Sequence, residues 1–318
     1  MLVLGSEAIR SLVVMPDLID CLQHAFRTEY VVPARKVSKM PGGEGERLFL
    51  SMQAFDRSGC AVAKLATVFP DNRVRGRPTI QSVIVAFSDD GAPMAVLDGA
   101  AVTQLRTAAA SALASKYLSR ADSARLVIIG TGALAPTMVT AHCAVRPINF
   151  VSVCGRQLER ATETAAAIRS LVNRDIEVFV PKSTEEAVAS ADIVCCATSS
   201  CTPVLAGRWL RPGVFVDLVG SFSPSKREAD DDVILRSRIF VDAFEGALTE
   251  AGDILDPIRR AVISRQKIEG ELADLVCGRV AGRVSPDEII VFKSVGTAIE
   301  DLAVTQLIVT AARRECCA

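Results

Sequence analysis

Residues 125–135 read Arg-Leu-Val-Ile-Ile-Gly-Thr-Gly-Ala-Leu-Ala and decide the fold. An apolar run ends in the turn Gly130-Thr131-Gly132-Ala133, and an alanine-rich pattern typical of a helix follows at once. The pattern predicts a buried strand that turns tightly into a helix, whose N-terminal N–H groups and dipole attract a pyrophosphate. With Ala135 as the third small residue, the motif is G-x-G-x-x-A, a variant of the dinucleotide-binding fingerprint. A plain strand-to-helix turn is the alternative interpretation.

The segment after the second predicted strand, Asn149–Val153, bears on the choice of cofactor. A site that prefers NAD usually places Asp or Glu there, to accept a hydrogen bond from the ribose 2′-hydroxyl. This chain instead has Cys154-Gly155-Arg156-Gln157, with Arg160 one helical turn later. Because two guanidinium groups can neutralise a 2′-phosphate, the sequence predicts NADPH as the cofactor, with NADH also accepted. The alternative is that Arg156 and Arg160 form a solvated first turn of a helix.

From Ala124 onward the pattern alternates strand and helix, as a doubly wound parallel sheet requires. The predicted strands after the first two are Ile176–Val180, Ile193–Ala197, Val214–Leu218, Ile239–Val241 and Ile289–Phe292. The predicted helices include Arg156–Val172, Thr184–Ser190 and a final one over Val295–Ala312. Residues 121–294 are therefore predicted to form a Rossmann domain that binds NAD(P).

More than a hundred residues precede this domain. Ser6–Glu29 predicts one or two amphipathic helices, and a strand meander follows as far as Leu97, with a hairpin signal at Asp89-Asp90-Gly91. An alanine-rich helix, Ala101–Leu118, then leads to a predicted hinge at Ser119–Ser123. We predict an N-terminal α/β domain over residues 1–120, with residues 295–318 packing back onto it.

The bulk composition narrows the class of protein. The 318 residues include 36 basic and 37 acidic side chains, for a net charge of −1. That balance gives no electrostatic footprint for nucleic acid or for an anionic membrane. The N-terminus lacks the basic start and apolar core of a signal peptide, and no apolar run is long enough to span a bilayer. We therefore expect a soluble cytoplasmic protein with no nucleic-acid or membrane partner.

The ten cysteines and two histidines do not predict a metal site. The pairs Cys195-Cys196 and Cys316-Cys317 lack C-x-x-C spacing, and no nearby histidine completes a ligand set. We expect reduced, unpaired thiols and no bound metal. His24 and His142 lie on predicted helices, and we expect both to be structural.

Lys64 is the strongest candidate for chemistry outside the Rossmann domain. It lies in an otherwise apolar strand, Ala61-Val-Ala-Lys-Leu-Ala-Thr-Val-Phe. Burial would lower the pKa of its ammonium group and allow proton exchange near neutral pH, whereas the alternative is an edge-strand lysine with its head in water. Arg47 and Arg106 would suit a small carboxylate substrate if they converged with Lys64 near a nicotinamide. Taken singly, each arginine is more often a surface residue.

Several blocks of sequence resemble the ornithine cyclodeaminase/mu-crystallin family over essentially the full length of the chain. In order, they are Arg47 with Ser51-Met52-Gln53, then Ala63-Lys64-Leu65, Met94–Gly99, Leu105–Ala109, Gly130-Thr131-Gly132 and Phe292–Asp301. Spaced blocks in the right order are far more specific than any one of these motifs.

The resemblance implies an N-terminal α/β domain, completed by the carboxyl-terminal helix, that binds substrate and forms a homodimer. It implies that Arg47, Lys64 and Arg106 line the substrate site, with Gln53 close to it. The residues that we predict to bind the cofactor, from this resemblance and from the motifs above, are Thr79, Arg106, the turn Gly130–Ala133, Arg156, Arg160, Thr198, Val219 and Ser294.

One departure from the family pattern bears on the subfamily. In the cyclodeaminases, the loop after the fifth Rossmann strand carries a catalytic aspartate, whereas here it reads Val219-Gly-Ser-Phe-Ser-Pro. Cyclodeamination needs an acid or base there to manage the leaving ammonia, and Phe222 cannot accept a proton. The loop instead resembles that of the Δ1-pyrroline-2-carboxylate reductases, which reduce cyclic ketimines.

The predicted reaction is hydride transfer from NADPH to C2 of Δ1-pyrroline-2-carboxylate, which gives L-proline. Δ1-Piperideine-2-carboxylate, which would give L-pipecolate, is a second predicted substrate. Arg47 and Arg106 would hold the carboxylate, while Lys64 would protonate the ring nitrogen or complete the carboxylate clamp. Asp301 would orient Lys64 or a bound water, or else only make contacts within its helix.

Other functions within the family stay open. Members similar to mu-crystallin bind a small ligand with NADPH, although retention of Lys64 and both arginines argues against loss of catalysis. An alanine dehydrogenase or an opine-type dehydrogenase would act on an open-chain amine, and an ornithine cyclodeaminase would release ammonia. The missing acid at Phe222 argues against the reactions that release ammonia.

Overall fold

The structure is a computed structural model that describes residues 1–42, 47–172 and 174–317, apart from the side chains of residues 73, 316 and 317. It contains two compact units. The first comprises residues 1–107 and 298–318, and the second comprises residues 108–297. The division falls within the helix Gly99–Leu118, whereas the sequence placed the boundary after it, at Ser119–Ser123.

The secondary-structure elements follow one another as strands and helices of ordinary length. The strands are β1 Leu2–Leu4, β2 Lys36–Met40, β3 Arg47–Phe55, β4 Ala61–Val68, β5 Ile80–Phe87, β6 Pro93–Asp98, β7 Arg125–Ile129, β8 Phe150–Cys154, β9 Glu177–Phe179, β10 Ile193–Cys196, β11 Phe215–Leu218, β12 Arg238–Val241, β13 Ile268–Glu271 and β14 Ile290–Lys293. The helices are α1 Ser6–Leu12, α2 Met15–Ala25, α3 Gly99–Leu118, α4 Ala135–Val145, α5 Leu158–Leu171, α6 Thr184–Ala189, α7 Asp231–Arg236, α8 Phe244–Glu250, α9 Gly252–Arg259, α10 Leu272–Val276 and α11 Ala298–Cys317.

The first unit is built on a six-stranded sheet in the order β1-β6-β5-β4-β3-β2. Strands β2 to β6 form an antiparallel meander, and β1 pairs with β6 in parallel. Met52, Lys64 and Ile84 stand directly opposite one another on β3, β4 and β5, so they share one face of the sheet. All three are buried, and α11 packs on β3, β4 and α2. This face is therefore the core of the unit.

The other face of the same sheet is also apolar. Ala63, Leu65, Val83 and Val85 alternate with the buried residues of β4 and β5, and these four side chains are half-buried. Apolar side chains on both faces are typical of a sheet that is covered on both sides.

The second unit is an eight-stranded sheet in the order β13-β12-β14-β11-β10-β7-β8-β9. All of its strand pairs are parallel. The succession β9-β8-β7-β10-β11 is the order of a doubly wound Rossmann sheet, with the chain reversing direction across the sheet between β7 and β10. The predicted α/β class with a Rossmann sheet is therefore confirmed. Phe215, Phe240 and Phe292 are fully buried in this sheet and fill its core.

Two remaining expectations concern membranes and thiols. In the part of the chain that the structure describes, no helix is both long and apolar enough to cross a membrane. The described cysteines are free thiols, namely Cys21, Cys60, Cys143, Cys154, Cys195, Cys196, Cys201 and Cys277. The side chains of Cys316 and Cys317 lie outside the described residues. Burial raises the pKa of Cys21 and of Cys154 to about 11, so both of these thiols are protonated at neutral pH.

Candidate active site

The glycine turn of the second unit has the geometry of a dinucleotide-binding turn. Gly130 follows β7 with a φ of 131°, a conformation that favours glycine, and a Cβ there would lie 2.4 Å from the carbonyl oxygen of Ala197. Its N–H donates to the carbonyl oxygen of Cys154 at 2.9 Å. Only glycine allows this close approach of the chain after β7 to the chain after β10.

The helix that follows this turn is open to an anionic ligand. Helix α4 begins at Ala135, and among the described residues no side chain caps its N-terminus. Thr131, Gly132 and Ala133 lead into the helix, and both Gly132 and Ala133 are exposed. The first N–H groups of a helix have no partner within it, and together with the helix dipole they favour a phosphate. The residues present therefore fit the pyrophosphate of a dinucleotide.

Three further residues predicted to contact the cofactor lie along the same edge of the sheet. Thr198 follows β10, Val219 follows β11 and Ser294 follows β14. Because parallel strands all end at one edge, these residues share the side of the sheet on which the glycine turn lies. Ligands of open α/β sheets bind at this edge, in the crevice where the strand order reverses.

The end of β8 presents arginines rather than a carboxylate. The strand ends at Cys154, and the exposed residues Arg156 and Arg160 follow it. A Cβ on Gly155 would lie 2.5 Å from the methyl group of Thr131, which packs the loop after β8 closely against the glycine turn. The loop that leads from β8 to Arg156 therefore lies beside the dinucleotide-binding turn.

The loop after β11 contains Phe222. The side chain of Lys226 lies over its ring, with Nζ 4.1 Å from the ring centroid, and the N–H of Lys226 donates to the carbonyl oxygen of Ser223 at 3.0 Å. The hydroxyl of Ser221 donates to the carbonyl oxygen of Lys226. The loop is thus a closed turn in which Phe222 carries no group able to exchange a proton.

The first unit brings four of its charged residues together in the core. Lys64 Nζ donates to Asp301 Oδ1 at 3.2 Å, and Arg106 Nε lies 3.2 Å from the same oxygen. Arg106 Nη1 also donates to Glu300 Oε2 at 2.6 Å. All four side chains are at most 7% exposed. We call Lys64, Arg106, Glu300 and Asp301 the buried charge cluster.

Burial and the neighbouring charges lower the pKa of Lys64. Its pKa falls from 10.5 to about 8, chiefly because burial penalises the ammonium ion, and the positive charges of Arg106 and Arg35 act in the same direction. Asp301 opposes this shift by its charge and its hydrogen bond. The Oδ2 atom of Asp301 is buried and has no hydrogen-bond partner among the described residues. Sequence reasoning found Lys64, Arg106 and Asp301, but it missed Glu300.

Arg35 is a second residue that sequence reasoning missed. It precedes β2, in which Lys36 is opposite Ser51. Its positive charge is close enough to Lys64 to lower the pKa of the Lys64 ammonium group. The preceding residues, Val-Val-Pro-Ala, show no hydrophobic periodicity that would have indicated that Arg35 lies near Lys64.

Arg47 and Gln53 do not join the buried charge cluster. Both are an odd number of residues from Met52 along β3, so they lie on the opposite face of the sheet from Lys64. Gln53 is exposed, and Arg47 Nη2 pairs with Asp71 at 3.2 Å. The Arg47 guanidinium also lies 5.1 Å from the centre of the Phe69 ring.

Thr79 lies apart from the cluster as well. It precedes β5 and is half-buried, and its carbonyl oxygen accepts a hydrogen bond from the N–H of Phe69 at 2.7 Å. The assignment of Thr79 to the cofactor stays a prediction that rests on resemblance.

His142 lies in a buried polar network of the second unit. In the described part of the chain, one group of three potential metal ligands comes together, and it consists of His142, Cys195 and Asp217. Asp217 Oδ2 lies 3.2 Å from His142 Nε2 and accepts from the Cys195 thiol at 3.5 Å, while Oδ1 accepts from the Ser111 hydroxyl at 3.2 Å. These hydrogen bonds satisfy the carboxylate and favour a structural role for His142.

Comparison with known proteins bears on this geometry. The family described as Ornithine cyclodeaminase/mu-crystallin family matches residues 1–315. A Delta(1)-pyrroline-2-carboxylate reductase of Colwellia psychrerythraea is 36% identical over 313 residues, which cover 97% of this chain and 98% of that protein.

Two solved structures are similar over almost the whole chain. One is Delta(1)-pyrroline-2-carboxylate reductase of Thermococcus litoralis in complex with NADH and L-proline, with a TM-score of 0.93 and 33% identity, covering 99% of this chain and 98% of that one. The other is an archaeal alanine dehydrogenase dimer with bound NAD, with a TM-score of 0.90 and 28% identity, covering 99% of this chain and 97% of that one. Since the family match spans residues 1–315, this chain belongs to the ornithine cyclodeaminase/mu-crystallin family.

Proposed function

We propose that the protein reduces cyclic ketimines with NAD(P)H, converting Δ1-pyrroline-2-carboxylate to L-proline and Δ1-piperideine-2-carboxylate to L-pipecolate. One hydride is added to C2 of the ring and one proton to the nitrogen, and the cofactor is oxidised. The observation that carries this proposal is the buried Lys64, whose pKa of about 8 lies within the range needed for proton transfer at neutral pH. The similarity to named reductases over nearly the whole chain supports it.

The charges around Lys64 suit a substrate with one carboxylate. In the buried charge cluster, Lys64 and Arg106 are balanced by Glu300 and Asp301. Arg35 adds a further positive charge near Lys64, since it lowers the pKa of Lys64, and guanidinium groups suit a carboxylate. We therefore assign carboxylate binding to Arg106 and Arg35, in place of the pair with Arg47 that the sequence predicted.

Lys64 would supply the proton that the reaction consumes. At neutral pH a group with a pKa of about 8 is mostly protonated and can give its proton to the ring nitrogen of the imine. Asp301 would orient the ammonium group, since its Oδ1 accepts from Lys64 at 3.2 Å. The same oxygen lies 3.2 Å from Arg106 Nε, so Asp301 also fixes one edge of that guanidinium.

The cofactor would be held by the second unit. When bound, it supplies the hydride that is added to C2 of the ring. The glycine turn and the N-terminus of α4 would hold its pyrophosphate, and Thr198, Val219 and Ser294 would contact the rest of it. Arg156 and Arg160 support a preference for NADPH over NADH, because they offer cations where a site for NAD usually has a carboxylate.

Phe222 supports net reduction rather than cyclodeamination. A cyclodeaminase removes and returns the same hydride while it expels ammonia, and this needs an acid or base near the amine. The apolar ring of Phe222, covered by Lys226, offers neither.

An amino acid dehydrogenase is the second candidate, because the archaeal alanine dehydrogenase is similar over 97% of its chain. The two candidates and the cyclodeaminase are separated by one set of assays on the purified protein. Δ1-Pyrroline-2-carboxylate is offered with NADPH or NADH, pyruvate with ammonia and either cofactor, and L-ornithine with ammonia release as the readout. The proposal predicts cofactor oxidation with the cyclic imine. Ammonia from ornithine or turnover with pyruvate, without imine reduction, would contradict it.

We also propose that the chain forms a homodimer through the half-buried apolar face of the first unit, which carries Leu65, Val83 and Val85. The archaeal alanine dehydrogenase is described as a dimer, which supports the proposal. Light scattering is expected to give a dimer for the natural chain and a monomer for Leu65→Asp. The matched control Val74→Asp changes a side chain that is 93% exposed and should leave the dimer intact. A dimer in both variants would count against this face.

A further inference from the structure

Glu228 links two loops at the edge of the Rossmann sheet. Its side chain is fully buried, and each carboxylate oxygen accepts one backbone N–H. Oε1 accepts from Thr198 and Oε2 accepts from Gly220, both at 2.6 Å. Because Thr198 follows β10 and Gly220 lies in the loop after β11, one carboxylate joins the ends of two neighbouring strands.

The two loops are joined as closely as a backbone allows. A Cβ on Gly220 would lie 1.9 Å from the carbonyl oxygen of Thr198 and 2.4 Å from Glu228 Oε1. Even a methyl group at position 220 would therefore force the loops apart or displace the carboxylate. The spacing of the loops depends on glycine at position 220 and on the carboxylate at position 228 together.

Glu228 is itself held in place from other elements. Its N–H donates to Asp253 Oδ1 at 2.8 Å, and its carbonyl oxygen accepts from Val204 and Leu205 at 2.8 and 2.9 Å. Asp253 lies in the first turn of α9, where the helix dipole favours a negative charge. The carboxylate of Glu228 thus projects from a fixed backbone.

The surroundings of Glu228 make its ionised form costly. Burial raises its pKa to about 7, the nearby Asp253 acts in the same direction, and Lys293 and Thr198 oppose the shift. The other titratable groups that face it are the thiols of Cys195 and Cys196 and the ammonium group of Lys226. The charge on Glu228 therefore destabilises the fold as the pH rises towards neutrality, while it strengthens the hydrogen bonds to the two loops.

We infer that Glu228 is a positioning residue for the nicotinamide cofactor: its carboxylate fixes the spacing of the loops that carry Thr198 and Val219, so that both residues are placed to contact the cofactor. The inference rests on the proposed function for its assignment of these loops to the cofactor. Glu228 itself has both oxygens on backbone N–H groups and is fully buried, so it acts through the loops.

The variant Glu228→Gln separates this role from a role in folding. A glutamine has one acceptor oxygen, and its NH2 group would face a second N–H donor, so one of the two loops is released. The variant also removes a buried charge, which favours the fold. We expect the Kd and the KM for NADPH to rise on the order of tenfold, as the loss of a charged hydrogen bond predicts. The KM for the cyclic imine and the melting temperature should change little.

A matched control lies at the opposite edge of the same sheet. Asp192 precedes β10, and its Oδ2 accepts from the N–H groups of Ala124 and Arg125, both at 2.9 Å. Like Glu228, its side chain holds two backbone N–H groups, but at the amino ends of the strands. The variant Asp192→Asn is expected to lower the melting temperature and to leave the Kd for NADPH unchanged.

Titration of cofactor binding gives a second readout. In the natural chain, protonation of Glu228 as the pH falls below about 7 should weaken NADPH binding, whereas in Glu228→Gln this step should be absent. If Glu228→Gln binds NADPH as tightly as the natural chain and with the same pH dependence, Glu228 has only a structural role and the inference is overturned. If the natural chain itself fails to bind either nicotinamide cofactor, the proposed function fails first, and the two failures are distinguishable.

Discussion

Both compact units bury a group of opposite charges, but the carboxylates in the two groups have different partners. In the first unit, Asp301 accepts a hydrogen bond from the side chain of Lys64 and pairs with Arg106. In the second unit, Glu228 accepts hydrogen bonds from two backbone N–H groups. Side chains can rearrange around a ligand, whereas a carboxylate bound to two loops fixes the chain itself.

We propose that the group around Lys64 acts on substrate, whereas Glu228 positions the chain. Asp301 Oδ2 is buried without a hydrogen-bond partner among the described residues, so the group around Lys64 is incomplete by itself. Both oxygens of Glu228 already accept a backbone hydrogen bond, so this carboxylate has a partner on each side without a ligand. An incompletely paired buried group is costly in a fold and is typical of a site that a substrate completes.

The largest effect is expected when the amino group of Lys64 is removed. In Lys64→Met we expect kcat/KM for the cyclic imine to fall on the order of a thousandfold, because the proton donor is lost. The Kd for NADPH should stay unchanged. Steady-state assays and fluorescence titration measure the two quantities, and Lys39→Met on β2 of the same sheet is the control. Normal turnover by Lys64→Met would remove Lys64 from the chemistry.

Substitutions of Arg35 and of Arg47 test which of these two arginines binds the substrate carboxylate. Arg35 is close enough to Lys64 to lower its pKa, whereas Arg47 lies on the face of the sheet opposite Lys64 and pairs with Asp71. In Arg35→Ala, the KM for the imine should rise on the order of tenfold or more, as expected for a lost bond to a carboxylate. In Arg47→Ala the change should stay within about twofold, since a partly exposed ion pair contributes little. The reverse order would restore the assignment of Arg47.

The pH dependence of the reaction should follow Lys64. Because the protonated form gives the proton, kcat/KM should fall about tenfold per pH unit above the pKa of about 8. The unfolded chain has the ordinary lysine pKa of 10.5 and binds more protons between the two values, so the free energy of unfolding should rise with pH across that window. Both dependences should be absent from Lys64→Met. Their persistence in the variant would assign them to another group.

The smallest expected effect is on cofactor choice. In the double variant Arg156→Ala/Arg160→Ala, the Kd for NADPH should rise about fivefold, because both arginines are exposed and their attraction to a 2′-phosphate is screened by solvent. The Kd for NADH should change by less than about twofold, since NADH has no 2′-phosphate. An equal rise in the Kd for both cofactors would show that these arginines do not bind the 2′-phosphate.

The sequence predicted best where one local pattern carried the signal. The glycine turn, the alternation of strands and helices, and the burial of Lys64 in an apolar strand all follow from residues close together in the chain. The structure confirms the strands predicted around Val153, Val194 and Val216, with bounds that differ by no more than one residue. Strands without such a pattern were missed, as in β13, where Ile-Glu-Gly-Glu carries two charges and a glycine.

The candidate site was less predictable because its contacts join distant segments. The register of β3 against β4 decides which residues of β3 share a face of the sheet with Lys64. A shift of one residue would exchange the two faces, so sequence alone could not show that Met52, and not Arg47, lies on the face of Lys64. Arg35 and Glu228 carry no local signal, since each acts on residues that another strand supplies. Glu300 was missed although it adjoins Asp301, because its partner Arg106 lies 194 residues away in the chain.

Transfer of a labelled hydride tests the central claim most directly. The purified protein is incubated with Δ1-pyrroline-2-carboxylate and NADPH that carries deuterium in the transferable position of C4, and the product is analysed by chiral chromatography and mass spectrometry. We predict L-proline with one deuterium at C2, formed in equal amount to the oxidised cofactor. Bound cofactor without labelled L-proline, from this imine or as L-pipecolate from its six-membered homologue, would contradict the proposed function.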